Sequence, residues 1–120
     1  MHHIGLVVKD CNLSTDFYRK ALGLKKGESF SSEILDIVFL ETGNITLELL
    51  QFKDGRGESR KAGLFDHIAF EVNSIEETMA NLEAMGVVFN ESPRTSIVGK
   101  KVIFFHGPDG ERLELMEVQK

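Results

Sequence analysis

The sequence predicts an α+β fold made of two tandem βαβββ modules. Two observations carry that expectation. A strand–helix–strand order occurs twice, and its landmarks fall at nearly constant spacing. The first strands begin at His3 and His67, 64 residues apart, and the helix-ending glycines Gly23 and Gly86 are 63 apart. The Leu-Glu-Leu triplets of the last strands centre on Glu48 and Glu114, 66 apart. Self-similarity at one spacing marks a duplicated supersecondary unit.

The elements follow in order. In module 1, about residues 1–52, Ile4–Val8 reads as a strand. Asn12 or Ser14 can cap a helix whose Leu13, Phe17, Ala21 and Leu22 face inward, and Gly23 ends it at the position that favours a left-handed residue. A weak strand around Lys25–Phe30 precedes Ile34–Leu40 and Ile45–Phe52, which are joined through Thr42-Gly43-Asn44, a good hairpin turn. Residues 53–64 (KDGRGESRKAGL), polar and glycine-bearing, read as the linker. In module 2, about 65–120, Ile68–Val72 is a strand, and Ser74-x-x-Glu77 is a capping box. That box opens a helix with Ile75, Met79, Leu82 and Met85 inward and Gly86 behind it. Val87–Asn90 reads as a short strand. Lys101–Phe105 and Leu113–Val118 form a hairpin around Gly107-Pro108-Asp109-Gly110.

The 120 residues suffice for a single domain with a real core. A net charge of −5, with basic residues scattered apart from a loose cluster at Arg56, Arg60 and Lys61, argues against nucleic acid or an anionic membrane as partner. Cys11 is the one cysteine, so no disulfide forms within the chain, and a cytoplasmic location is expected. The apolar run before Lys9 and Asp10 is too short for a signal peptide or a membrane span.

Each copy places one histidine just ahead of its first strand and one glutamate within its last. If the first and last strands share a sheet, His3, Glu48, His67 and Glu114 can converge on one face. Two imidazoles and two carboxylates suit Zn²⁺, Ni²⁺, Co²⁺, Mn²⁺ or Fe²⁺ with coordination positions left open. Strand alternation alone would also send either glutamate to solvent. The occurrence of all four at equivalent positions favours a shared ion. His2 should face away from His3, and His106 lies near a turn, exposed. Neither has a counterpart in the other copy. Cys11 reads as a packed small residue.

The segments HHIGLVVKDCNLSTDFYRKALGL, ITLELLQ, FDHIAFEV and GPDGERLELMEV together resemble the vicinal oxygen chelate superfamily. That superfamily includes glyoxalase I, methylmalonyl-CoA epimerase, fosfomycin-resistance thiol transferases, extradiol dioxygenases and bleomycin-resistance proteins. The resemblance covers essentially the whole chain. It implies paired βαβββ modules forming a curved mixed sheet around a divalent metal, a homodimer, and a small-molecule substrate. Carried over residue by residue, the ligand positions fall on His3, Glu48, His67 and Glu114.

This ligand pattern looks like bacterial-type glyoxalase I (lactoylglutathione lyase), which prefers nickel or cobalt over zinc. Zinc-type enzymes carry Gln where this chain has His3, and epimerases carry Gln where it has Glu48. The resemblance implies glutathione or another thiol as co-substrate. Lys20 matches a basic residue that holds its carboxylates and Lys100 a basic residue on the mobile loop that closes over the site, whereas Asn81 stands where a further charge is usual. The implied chemistry is proton transfer on the hemithioacetal of a 2-oxoaldehyde such as methylglyoxal, through a metal-stabilised enediolate. Glu114 would serve as base and Glu48 as its partner. An epimerase acting on a 2-methyl thioester, and a non-catalytic binder of drugs or small metabolites, are the alternatives.

Overall fold

The computed structural model describes residues 1–55 and 63–119. Most of the expected linker, with Arg56, Arg60 and Lys61, lies outside the described residues. The chain divides into two compact units, Met1–Lys61 and Ala62–Lys120.

The first unit runs β1 (His3–Val7), α1 (Cys11–Leu22), β2 (Lys25–Ser31), β3 (Leu35–Glu41) and β4 (Thr46–Phe52). Its sheet has the order β1-β4-β3-β2, with β1 parallel to β4 and the other pairs antiparallel. The second unit runs β5 (Ile68–Val72), α2 (Ile75–Ala84), β6 (Arg94–Thr95), β7 (Lys101–His106) and β8 (Arg112–Glu117). Its order is β5-β8-β7-β6, again with the first and last strands parallel. The fold is therefore α+β, with two mixed four-stranded sheets, one in each unit.

Pleating sends alternate side chains to opposite faces. On β4, Leu47 and Leu49 are buried, and on β8 so are Leu113 and Leu115. Gln51 and Glu117 share those faces one step further along, and each reaches the first backbone N–H of its unit's helix. Cys11 N donates to Gln51 Oε1 at 2.8 Å, and Ile75 N donates to Glu117 Oε1 at 3.0 Å. Each helix is thus tied to the last strand of its own unit, on the face opposite the glutamate of the Leu-Glu-Leu triplet. Helix α1 ends on Gly23, left-handed at φ 72°, and its N–H returns to Arg19 O.

Three details differ from the sequence expectation. Helix α1 is capped by Asp10, neither Asn12 nor Ser14: Asp10 Oδ1 accepts from Asn12 N at 2.9 Å and Leu13 N at 3.1 Å. The buried stripe of α1 is Cys11, Ser14, Thr15, Phe17, Tyr18 and Ala21, and Leu13 is 59% exposed. At 100° per residue Leu13 lies about 200° round the axis from Cys11, so small polar residues take the sheet side instead. Met85, just beyond α2, is likewise 38% exposed, while Ile75 and Leu82 are buried.

The expected strand Val87–Asn90 is absent, and β6 forms later, at Arg94–Thr95. Val87 N bonds Leu82 O at the helix end, and Phe89 packs its ring 5.6 Å from that of Phe105. This stretch is held by a helix terminus and a ring contact. Strand pairing begins only after Pro93, which has no N–H to donate to a ladder. No helix among the described residues is long and apolar enough to cross a membrane.

Candidate metal centre

In the first unit the parallel register pairs His3 with Thr46 and Gly5 with Glu48. His3 and Glu48 therefore lie on the same sheet face, one step apart on neighbouring strands. A Cβ at Gly5 would come 3.5 Å from Glu48 Oε1, so the absent side chain leaves the carboxylate its room. His3 Nε2 lies 3.8 Å from Glu48 Oε1. In the second unit Ala69 pairs with Glu114, and His67 precedes β5 directly. There His67 Nε2 lies 3.1 Å from Glu114 Oε1.

The Glu48 and Glu114 side chains are 17% and 9% exposed, so neither is the solvent-facing residue that simple alternation allows. Both lie across the ladder from a phenylalanine, Phe39 for Glu48 and Phe104 for Glu114. Metal bonds of about 2.0–2.2 Å put two ligands of one ion roughly 2.9–3.5 Å apart. The second pair meets that spacing and the first is a few tenths of an ångström wider. Each unit thus offers one imidazole nitrogen and one carboxylate oxygen fit for a divalent cation. The structure brings His3 to Glu48 and His67 to Glu114. No cluster of three or more His, Cys, Asp or Glu side chains fit to hold a metal occurs among the described residues.

The surroundings of the two histidines differ. His67 Nδ1 lies 2.7 Å from Asp66 Oδ2, and the Arg112 guanidinium binds the same oxygen. The hydrogen bond from His67, helped by the charge of Arg112, holds the Asp66 carboxyl below its ordinary value. Arg112 stacks 3.9 Å from the centre of the Phe104 ring, which meets the His67 ring edge-to-face at 5.1 Å. His3 has no carboxylate at the corresponding place: its Nδ1 lies 2.9 Å from Nδ1 of His2. His2 is therefore bound to His3 rather than turned away from it. Asp66, Arg112 and Phe104 were not singled out in the sequence. The signal that would have found Asp66 is its position immediately before a histidine proposed as a ligand.

Lys20 is exposed in the last turn of α1, where basic residues complement the helix dipole. With Arg19, Leu24, Lys25 and Lys26 it lines a shallow hollow of about 440 Å³. Lys100 is half-buried in the loop between β6 and β7, where its N–H meets Ser96 Oγ and its carbonyl accepts from Ser96 N. His106 is exposed, as expected. Cys11 is buried, its thiol 3.8 Å from the carbonyls of Asp36 and Leu49.

An α+β chain of two βαβββ units, each with a His–Glu pair on the sheet face away from its helix, defines the class. The chain belongs to the Glyoxalase/Bleomycin resistance protein/Dioxygenase superfamily, whose family description matches residues 1–115. It is 30% identical to an uncharacterised protein, YwbC of Bacillus subtilis, over 96% of this chain and 94% of that one. It is 27% identical to the mitochondrial methylmalonyl-CoA epimerase of Mus musculus, over 91% of this chain and 66% of the epimerase. Among solved structures, a glyoxalase family protein from Enterococcus faecalis superposes with a TM-score of 0.78 at 30% identity, covering 98% of this chain and 96% of that one.

Proposed function

We propose that the protein is a metal-dependent lyase or isomerase of the glyoxalase I type. On this reading it moves a proton between adjacent carbons of the hemithioacetal formed by a 2-oxoaldehyde and a thiol. The observation that carries the reading is the duplicated His–Glu pair, 3.8 Å apart in one unit and 3.1 Å in the other. His3, Glu48, His67 and Glu114 would hold one divalent ion: nickel, cobalt, zinc or manganese. When bound, such an ion supplies Lewis-acid stabilisation of the negative charge that develops on the substrate oxygens.

The chain's own residues do the rest. Glu114, the more enclosed glutamate, takes the proton from C1 as general base and returns it to C2, so the reaction is an isomerisation that needs no oxidant. Glu48 is its partner. Lys20 and Lys100 hold the carboxylates of the thiol, glutathione or another, and the further cations beside Lys20 strengthen that end. Pairing of two copies into a homodimer belongs to the same reading, and light scattering measures it.

A second reading, epimerisation of a 2-methyl thioester, uses the same proton chemistry and is favoured by the likeness to the mouse epimerase. Elemental analysis of the purified protein, followed by turnover assays, separates the two. One metal equivalent with methylglyoxal turnover in the presence of a thiol supports the glyoxalase reading. Metal without such turnover, but with hydrogen exchange at C2 of a 2-methyl thioester, transfers the assignment to the epimerase. Protein purified from metal-replete medium without metal sinks both and leaves a binder.

A further inference from the structure

We propose that Asp66 is a positioning residue that orients the His67 ring, and that Arg112 and Phe104 hold this arrangement in place; this rests on His67 being a metal ligand. An imidazole has two nitrogens, and its ring can turn to exchange them. At His67 the exchange is blocked. The Asp66 carboxylate, which can only accept, takes the Nδ1 hydrogen at 2.7 Å and leaves Nε2 pointing at Glu114, 3.1 Å away.

Asp66 alone would hold little, because its side chain is 71% exposed and free to choose other rotamers. Arg112 removes that freedom. Its guanidinium binds the same Oδ2, and its plane is fixed 3.9 Å over the Phe104 ring. Phe104 meets the edge of His67 on its other contact, at 88° between ring planes, and pairs across the ladder with Glu114. Asp66, His67, Phe104 and Arg112 thus form a closed circuit in which each side chain touches two others, and His67 carries it on to Glu114. Among the described residues of the first unit there is no such circuit. The residue before His3 is His2, whose imidazole can give or take the shared hydrogen and so fixes neither ring. The second unit is the pre-set half of the proposed site, and the first adjusts to the ion.

The test compares wild type with Asp66→Ala and the conservative Asp66→Asn, whose amide oxygen still accepts. Zinc affinity is measured by chelator competition, and the His67 Nδ1–H resonance is observed by NMR in protein stripped of metal. The expected result is loss of the Nδ1–H signal in Asp66→Ala with a fall in zinc affinity of about 10- to 100-fold. Asp66→Asn should recover most of both, and His2→Ala should leave zinc affinity within about threefold of wild type. Unchanged zinc affinity in Asp66→Ala overturns the proposal, even if the Nδ1–H signal is lost. If wild type itself binds no zinc, nickel or cobalt, the metal reading fails separately. Persistence of the signal in Asp66→Ala would then show that Asp66 does not set the ring.

Discussion

The edge strand of the first sheet, β2, spans seven residues and pairs along most of β3, with a register shift between Lys26 and Ser29. Its counterpart β6 spans two residues and pairs only with the start of β7. The opposite edges show the reverse: β1 and β5 run parallel to β4 and β8 at the same register, with Gly5 and Ala69 opposite the two glutamates. What repeats between the units is therefore what places a His–Glu pair and ties the helix behind it. What varies is the edge at β2 or β6 and the company each histidine keeps. Among the described residues only one histidine has a carboxylate beside its Nδ1, only one pair closes to 3.1 Å, and both belong to the second unit.

That asymmetry predicts unequal roles for the glutamates. Glu114→Gln should slow hydrogen exchange at the substrate carbon by about 10²- to 10⁴-fold, the usual span of a general base, while the metal still binds. Glu48→Gln should cost less in exchange and show its effect mainly in metal affinity. Hydrogen exchange followed by NMR beside elemental analysis reads both. Equal losses would erase the distinction, and retained exchange in Glu114→Gln would remove that residue as base.

The helices allow a comparison of the same kind in stability. Tyr18 of α1 and Leu82 of α2 stand at equivalent places, and both are completely buried. Tyr18→Ala should cost about 3–5 kcal/mol and Leu82→Ala about 2–5 kcal/mol, as for other large side chains removed from cores. Leu13→Ala and Met85→Ala should stay within about 0.5 kcal/mol, because both side chains already meet water. Urea denaturation of the four variants checks this. A cost for Leu13 close to that for Tyr18 would mean that something covers the outer face of α1.

These two positions show how far the sequence could be read. Spacing alone located both copies, the helix-stopping glycine Gly23 and the four ligand candidates, because those depend on periodicity and on residue types with few roles. On α1 the apolar rhythm is right for Phe17 and Ala21, which are buried, and wrong for Leu13, because Ser14 and Thr15, polar but small, are buried instead. The cap was misplaced because three residues near the helix start can all cap. The repeat itself held the answer, since Asp10 stands where Ser74 stands in the second copy. Strand β6 escaped because an apolar stretch beside Gly86 looks like a strand whether or not anything pairs with it. The ring-to-carboxylate contact at His67 depends on side-chain direction, which spacing does not encode.

The smallest expected effect concerns pH, at one corner of each sheet, where equivalent positions carry opposite charges. Asp36 on β3 pairs with Gln51, and Lys101 begins β7 at the equivalent place. The hydrogen bond from Ser31 at 2.5 Å, with Lys53 nearby at 3.5 Å, holds the Asp36 carboxyl below its ordinary 3.8. Lys101 is raised above 10.5, chiefly by its hydrogen bond to Glu76, which is itself held below 4.5 by that bond. A lowered carboxyl stabilises the fold above its unfolded value and ceases to do so as pH falls through its folded value; a raised lysine does so as pH rises through its own. Acid should therefore loosen both corners, Asp36 in the first unit and Glu76–Lys101 in the second, whereas alkali above 10.5 should loosen only the second. All of these side chains are a third or more exposed, so the effect is a local rise in amide hydrogen exchange rather than unfolding. Exchange at Ile37 and Val102, compared in acid and in alkali, reads it. A rise at Ile37 in alkali equal to that at Val102 would show that the two corners do not differ in the way their charges require.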